Sequence, residues 1–191
     1  YAKEIQTREY GYGMDGILRS RKDVLSGIIN GIDYLANNPE TDRCILTNYS
    51  VNHLEGKHEN KRGLQKRLGL EQKDVPIISM ITRLADQKGL DILSHVFHGM
   101  MQREVQFVLL GTGETRFEYF FREMANRYPG RASINIFFDE TLAQQIYAGS
   151  DLFLMPSKFE PCGLGQMFSL RYGTVPIVRK TGGLADTIFP Y

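Results

Sequence analysis

From residue 75 onward, two apolar patterns alternate along the chain. The runs Pro76–Ile81, Val105–Leu110, Ser133–Phe138, Asp151–Met155 and Val175–Val178 are short and largely apolar, as strands buried on both faces are. Between them lie stretches with helical spacing. Gly89–Met101 places Leu90, Leu93, Val96, Phe97 and Met100 on one face, and Glu114–Tyr128 does the same with Phe117, Phe120, Phe121 and Met124. Thr141–Gly149 and Gly165–Tyr172 are the other predicted helices. Strict alternation of strand and helix predicts an α/β fold, a Rossmann-like parallel sheet with helices on both faces. Ligands of such sheets bind outside the carboxyl ends of the strands. That rule selects the loops at 82–88, 111–114, 138–140, 156–165 and 179–184.

Before residue 75 the pattern is weaker. Ile17–Arg21 and Val24–Ile29 are apolar pieces that predict an edge element and a buried strand. Tyr10–Gly16, Asn30–Asp33 and Asn37–Glu40 are turn signals. Residues 31–60 have little periodicity and are expected to be a linker. Residues 59–70 predict a basic amphipathic helix ending at Gly69, its charges forming a solvated face. His53 and His58 lie near Glu55 and Glu59, but without a pairing pattern or cysteines they are expected to be solvated, not metal ligands.

Composition narrows the function classes. Hydrophobic residues make up 42% and charged residues 24%, so the chain is expected to fold. A formal net charge of +1 argues against a nucleic-acid partner. No apolar run is long enough to predict a membrane span, and no signal peptide is visible. Cys44 and Cys162 are too sparse for a disulfide framework and predict reduced thiols.

The candidate chemistry lies in the selected loops. Pro156-Ser157-Lys158-Phe159-Glu160-Pro161-Cys162-Gly163-Leu164-Gly165 joins a strand to a helix, where backbone N–H groups can hold anionic or hydroxylated ligands. Glu160 sits where a carboxylate can meet the same ligand, or is a surface group or a cap; spacing alone does not decide. Arg83 and Lys88 follow the first strand. They are either donors for the charge of a departing diphosphate or surface cations, one pairing with Asp86. Gly111-Thr112-Gly113 lets a ligand approach the backbone, but it follows the second strand and lacks a third glycine, which counts against an NAD-linked oxidoreductase. Lys180–Asp186 is a Gly-rich turn that either holds a phosphate or merely turns. No histidine is identifiable as a partner for Cys162 acting as nucleophile.

A set of ordered motifs carries a family resemblance. Arg83-Leu84-Ala85-Asp86-Gln87-Lys88-Gly89-Leu90-Asp91, Lys158-Phe159-Glu160-Pro161-Cys162-Gly163-Leu164, Arg171-Tyr172-Gly173-Thr174-Val175-Pro176 and Thr181-Gly182-Gly183-Leu184-Ala185-Asp186 resemble bacterial glycogen synthases and plant starch synthases, glycosyltransferase family 5. So do Tyr1–Thr7, Gly11–Gly13 and Gly27–Asp33. The resemblance implies the C-terminal half of a GT-B fold, in which two Rossmann-like domains face across a cleft. It implies transfer of glucose, with retention, from a nucleotide-sugar donor, ADP-glucose, to the non-reducing end of an α-1,4-glucan acceptor, without a metal or other cofactor. Arg83 and Lys88 would neutralise the donor's phosphates and Glu160 would hold the glucose hydroxyls. The N–H groups of Cys162 and Gly163 would meet the sugar, those of Leu164 and Gly165 the phosphates. Gly111 and Gly113 would line the nucleotide pocket. Two positions depart from the wider pattern: Phe168 stands where related transferases carry a second Glu, and no Trp precedes Asn38-Pro39.

The resemblance divides the chain into residues 1–30, the end of an acceptor domain; 31–74, a linker and first helix; and 75–191, a donor domain incomplete at its C-terminus. It implies a bacterial cytoplasmic enzyme, or a plastid one if from a plant. Taken alone, this stretch is expected to bind nucleotide weakly or not at all and to show no transfer. The competing expectations are a UDP-glucose-dependent GT-B transferase and a non-catalytic nucleotide- or glucan-binding module.

Overall fold

The computed structural model describes residues 1–190. Its helices are α1 (Arg8–Gly11), α2 (Asp15–Ser20), α3 (Glu55–Arg67), α4 (Leu90–Met101), α5 (Thr115–Arg127), α6 (Glu140–Gly149), α7 (Gly165–Arg171) and α8 (Gly182–Thr187). Its strands are β1 (Ile77–Ile81), β2 (Gln106–Leu110), β3 (Ala132–Asn135), β4 (Leu152–Met155) and β5 (Val175–Val178). The strands form one parallel sheet in the order β3-β2-β1-β4-β5. The chain therefore winds outward from β1 in one direction, then returns to start β4 on the other side. The carboxyl ends of β1 and β4 flank the point where winding reverses, and there the connecting loops splay apart to leave a crevice.

Side-chain alternation along the strands feeds two cores. Ile78, Met80, Phe107 and Leu109 pack with Leu90, Leu93, Phe97 and Met101 of α4 and Phe117, Phe121 and Met124 of α5. Ile77, Val108 and Leu110 point the other way, onto Leu64 of α3 and Leu142 and Ile146 of α6. Phe97, Phe107 and Phe121 are fully buried and meet at centroid distances of 5.1 to 6.4 Å. Burying each such ring contributes roughly 1.5–3 kcal/mol. The Asp139 carboxylate starts α6 by accepting the Leu142 N–H at 2.8 Å, a side-chain N-cap. Gly69, at φ +67°, stops α3 in the left-handed conformation, and the Leu70 N–H closes back onto Gln65 O at 2.8 Å.

Four sequence expectations need correction. Ile17–Arg21 is not an edge element of the sheet: residues 15–20 form the helix α2. Val24–Ile29 is not a buried strand either. It joins no ladder, and Val24 and Ile28 are 81% and 92% exposed. An apolar run becomes a strand only when a partner edge accepts its N–H and C=O groups, and none stands beside it among the described residues. The basic helix begins four residues earlier than its pattern suggested, at Glu55. The third strand ends at Asn135, leaving Phe137 and Phe138 exposed.

Residues 37–54 lack regular structure but are firmly docked. Ile45 and Tyr49 are buried in a third cluster with Tyr147, Ala148, Phe153 and Tyr172. The Tyr49 hydroxyl donates to Tyr172 O at 2.8 Å. Beside it the buried Lys57 amine donates to Ala148 O, Tyr172 O and the Thr174 hydroxyl at 2.9–3.1 Å. Burial lowers the Lys57 pKa to about 8. No helix among the described residues is long and apolar enough to cross a membrane.

Candidate functional site

The crevice between the loops after β1 and β4 holds a cavity of about 390 Å³. Its walls include Thr82, Arg83 and Lys88 from one loop and Ser157, Glu160, Gly163, Leu164 and Gly165 from the other, with Tyr147 and Phe168 as aromatic lining. The two loops are tied together by backbone and side chain. The Lys158 N–H donates to Gln87 O at 2.8 Å, and Gln87 Nε2 donates to Phe159 O at 3.1 Å. Gly89 makes the approach possible: a Cβ there would lie 2.1 Å from Pro156 O.

At the centre Lys88 Nζ meets Glu160 Oε2 at 2.6 Å. The Glu160 residue is only 7% exposed, and its Oε2 also accepts the Ser157 hydroxyl at 3.2 Å. A buried carboxylate left unpaired would be costly, and Lys88 and Ser157 supply its partners and fix its position. Asp86 does not pair with Arg83 or Lys88. It takes Lys158 at 2.6 Å and Arg116 at 3.4 Å, and Lys158 also reaches Asp91 at 3.1 Å. Hydrogen bonds to Asp86 and then Asp91 push the Lys158 pKa up. Lys158 is thus committed outside the cavity. Arg83 meets only Gln87 Oε1, at 3.4 Å, and has no carboxylate partner among the described residues. It is the uncommitted cation on the wall.

The opposite wall supplies donors. The N–H groups of Cys162, Gly163, Leu164 and Gly165 have no protein acceptor among the described residues. Gly163, at φ +75°, and Gly165, where a Cβ would lie 2.9 Å from the Phe153 ring, allow this backbone to lie bare along the cavity. The site therefore offers one uncommitted guanidinium, one ammonium shared with a buried carboxylate, and a row of free N–H groups. That combination suits a ligand with both anionic oxygens and hydroxyls.

The structure brings Arg83, Lys88, Glu160, Gly163, Leu164 and Gly165 to one cavity. It does not bring Gly111, Gly113 or Cys162 into that lining. Gly111 and Gly113 instead allow the loop after β2 to press against the loop after β1, where Cβ atoms would stand 1.8 Å from Thr82 O and 2.2 Å from Leu84 O. Cys162 lines a separate cavity of about 900 Å³ formed with residues 1–5 and 25–30, and its Sγ accepts the Asn30 N–H at 3.3 Å. Phe168 stands 5.8 Å from the Tyr147 ring and makes that side of the crevice apolar. His53 and His58 are exposed, and no group of three or more His, Cys, Asp or Glu converges among the described residues. Ser157 and Gln87 escaped the sequence reading because nothing in their spacing marks a side chain that orients another.

The Gly-rich turn before α8 has a different fate. The Glu4 carboxylate accepts the Gly182 N–H at 2.7 Å and lies 3.3 Å from the Thr181 hydroxyl. The Gly183 N–H donates to Glu160 O at 2.9 Å. This turn is occupied by the protein itself.

Comparison with known proteins places this geometry in a family. The chain is 60% identical over 192 residues to a glycogen synthase of Thermosipho africanus and 57% identical to one of Geobacillus stearothermophilus. It is covered completely in both cases and spans 40% of the length of each of these relatives. The solved catalytic domain of starch synthase IV from Arabidopsis thaliana, bound to ADP and acarbose, superposes with a TM-score of 0.94 at 40% identity, over the whole chain and 40% of that domain. Anabaena HepE in complex with UDP-glucose shares the fold at a TM-score of 0.66 and 18% identity. The family model described as glycosyl transferases group 1 matches residues 62–191, well over half of the sequence, and the chain belongs to that family.

Proposed function

We propose that this chain is the donor-binding part of a retaining glucosyltransferase that moves glucose from ADP-glucose to the non-reducing end of an α-1,4-glucan. One observation carries the reading: Lys88, paired with the buried Glu160, shares one cavity with the free N–H groups of Gly163, Leu164 and Gly165, in the crevice where the winding of the sheet reverses. In this reading the glucose hydroxyls meet Glu160 and the N–H group of Gly163, while Cys162, which lines the neighbouring cavity, makes no contact unless the loop shifts. The diphosphate meets Arg83, Lys88 and the N–H groups of Leu164 and Gly165. When the bond between the sugar's anomeric carbon and the phosphate oxygen breaks, negative charge grows on the diphosphate. Arg83 and Lys88 stabilise that charge, which lowers the barrier more than it strengthens ground-state binding. The nucleotide would lie toward Gly111 and Gly113.

Residues 1–30 then form the end of the acceptor domain, 31–74 a linker and first helix, and 75–191 the donor domain. The docking of α3 on α6 supports treating the helix as part of the donor body. The reading sets the protein in the bacterial cytoplasm, or in a plastid if it is from a plant. The relatives named above support the glucan product, and the ADP in the starch synthase IV structure supports the adenine nucleotide.

The test is a chimera in which residues 1–191 replace the matching segment of the Thermosipho africanus glycogen synthase. It should transfer glucose from ADP-glucose to glycogen. Lys88→Ala or Glu160→Ala should lower the rate by well over tenfold, more than about 1.4 kcal/mol of transition-state stabilisation. A rate within threefold of the unsubstituted chimera would remove the assigned role. Preference for UDP-glucose would redirect the donor assignment, and a folded chimera that binds ADP without transfer would favour a binding module. The 191-residue chain itself already forms the cavity. It should bind ADP with millimolar affinity and show no transfer.

A further inference from the structure

Gln166 is fully buried, yet it lines no part of the donor cavity. Its Nε2 lies 3.1 Å from Cys162 O, 3.1 Å from Gly163 O and 3.1 Å from the Thr187 hydroxyl oxygen. These neighbours fix the orientation of the amide. Two are carbonyls, which only accept. The third has already spent its proton on Gly183 O, at 2.7 Å, and offers only lone pairs. The nitrogen must therefore face all three. The opposite atom, Oε1, is buried with no donor. Native interiors seldom leave such an acceptor unpaired, and each one calls for an account.

The geometry of the peptide plane indicates what it serves. In a trans peptide the C=O and the following N–H point in opposite directions, and the described chain has no cis bond. Drawing Cys162 O toward Gln166 turns the Gly163 N–H away from it. Drawing Gly163 O the same way turns the Leu164 N–H away as well. Gly163 and Leu164 both line the cavity that holds Lys88 and Glu160, and neither N–H has a protein acceptor among the described residues. The loop is seated directly on the amide: a Cβ on Gly163 would fall 2.5 Å from Gln166 Oε1.

We propose that Gln166 is the positioning residue of the donor loop. Its side-chain amide holds two consecutive peptide planes so that the N–H groups of Gly163 and Leu164 face the phosphate and sugar oxygens of a nucleotide sugar. This rests on the donor-site reading given above. Gln166 touches no ligand. It acts through the backbone it holds, and Thr187 anchors its nitrogen from α8.

Nitrogen-15 NMR titration of the 191-residue chain, with ADP and with adenosine as probes, tests this. ADP should shift the Gly163 and Leu164 amides of the unsubstituted chain. In Gln166→Met, and in Gln166→Leu as a second variant, the ADP dissociation constant should rise at least tenfold. The response to adenosine, which carries no phosphate, should match that of the unsubstituted chain. Three outcomes overturn the proposal: ADP affinity within twofold in a folded variant, equal weakening of ADP and adenosine, or unfolding of both variants, since the last two mark a purely structural role. If neither the unsubstituted chain at millimolar ADP nor the unsubstituted chimera responds to ADP, the donor-site reading itself falls and takes this inference with it. Loss in the variants alone separates the two.

Discussion

The loops before α7 and α8 are alike in sequence and opposite in use. Cys162-Gly163-Leu164-Gly165 and Thr181-Gly182-Gly183 each carry two glycines and each open a short helix. Before α7, four successive N–H groups are left without protein acceptors, and three of their residues, Gly163, Leu164 and Gly165, line the crevice. Before α8, the N–H groups are consumed, Gly182 by the Glu4 carboxylate and Gly183 by Glu160 O. The glycines also differ in what they permit. Gly163 lets the backbone pass beside a buried amide, whereas Gly183 lets two backbones touch, since a Cβ there would lie 2.3 Å from Cys162 O. Glycine marks close approach. Whether the approaching partner is a ligand or the protein depends on what else is packed against the loop.

The sharpest way to break this comparison is to add one methyl to each loop. Gly183→Ala drives a Cβ into the backbone at Cys162, which has no rotamer to yield. It should cost about 3 kcal/mol or more, at the high end for overpacking, read as a lower urea midpoint. Because it pushes the first loop aside, ADP binding should vanish with it. Gly163→Ala should behave differently. Its φ of +75° costs a side chain about 1–2 kcal/mol, and the new Cβ meets the side-chain amide of Gln166 rather than backbone. Stability should fall modestly while ADP affinity drops at least tenfold. If Gly183→Ala left the midpoint unchanged, the second loop would not be the structural joint described here.

Lys57 supplies a control far from both loops, at the other end of α7. Its pKa is lowered by burial from 10.5 to about 8 in the folded chain. Between those values the unfolded chain holds a proton that the folded chain has released, so stability rises with pH. The gain is present above the unfolded value and is lost as pH falls through the folded one. From pH 8 to pH 10 it should amount to about 2 kcal/mol. The window stops there because burial raises the Tyr49 and Tyr147 phenols, which reverses the slope at higher pH. Lys57→Met should flatten the urea midpoint across this range and leave ADP binding unchanged.

The sheet was readable in the sequence because its strands are apolar on both faces and its helices are one-sided, as Phe97, Phe107 and Phe121 illustrate. Val24–Ile29 misled because apolar content does not supply a partner edge. The docking of residues 37–54 was invisible for a related reason: it rests on single long-range contacts, such as the Tyr49 hydroxyl on Tyr172 O. In the site, topology alone selected the loops that hold Arg83, Lys88 and Glu160. Spacing could not assign Glu160, and only the family resemblance gave it a role. Ser157, Gln166 and Glu4 had no signal at all, since each matters through what folding sets beside it. The turn at Lys180–Asp186 reads in the sequence as either a phosphate holder or a plain turn, and only the fold, by setting Glu4 on it, decides for the turn.

Glu4 therefore offers the smallest and most specific perturbation. Its carboxylate receives the Gly182 N–H and sits by the Thr181 hydroxyl, linking the start of the chain to α8. Glu4→Gln keeps the shape and one accepting oxygen but removes the charge. An N–H to carboxylate bond is worth roughly twice a neutral one, so the loss should be about 1 kcal/mol, seen as a small fall in the urea midpoint. ADP affinity should stay within twofold, because the turn before α8 holds protein and not ligand. A tenfold loss of ADP affinity in Glu4→Gln, with stability unchanged, would mean that this turn also faces the donor. The two loops would then share one task, and the difference between them would lie only in which is occupied when the ligand is absent.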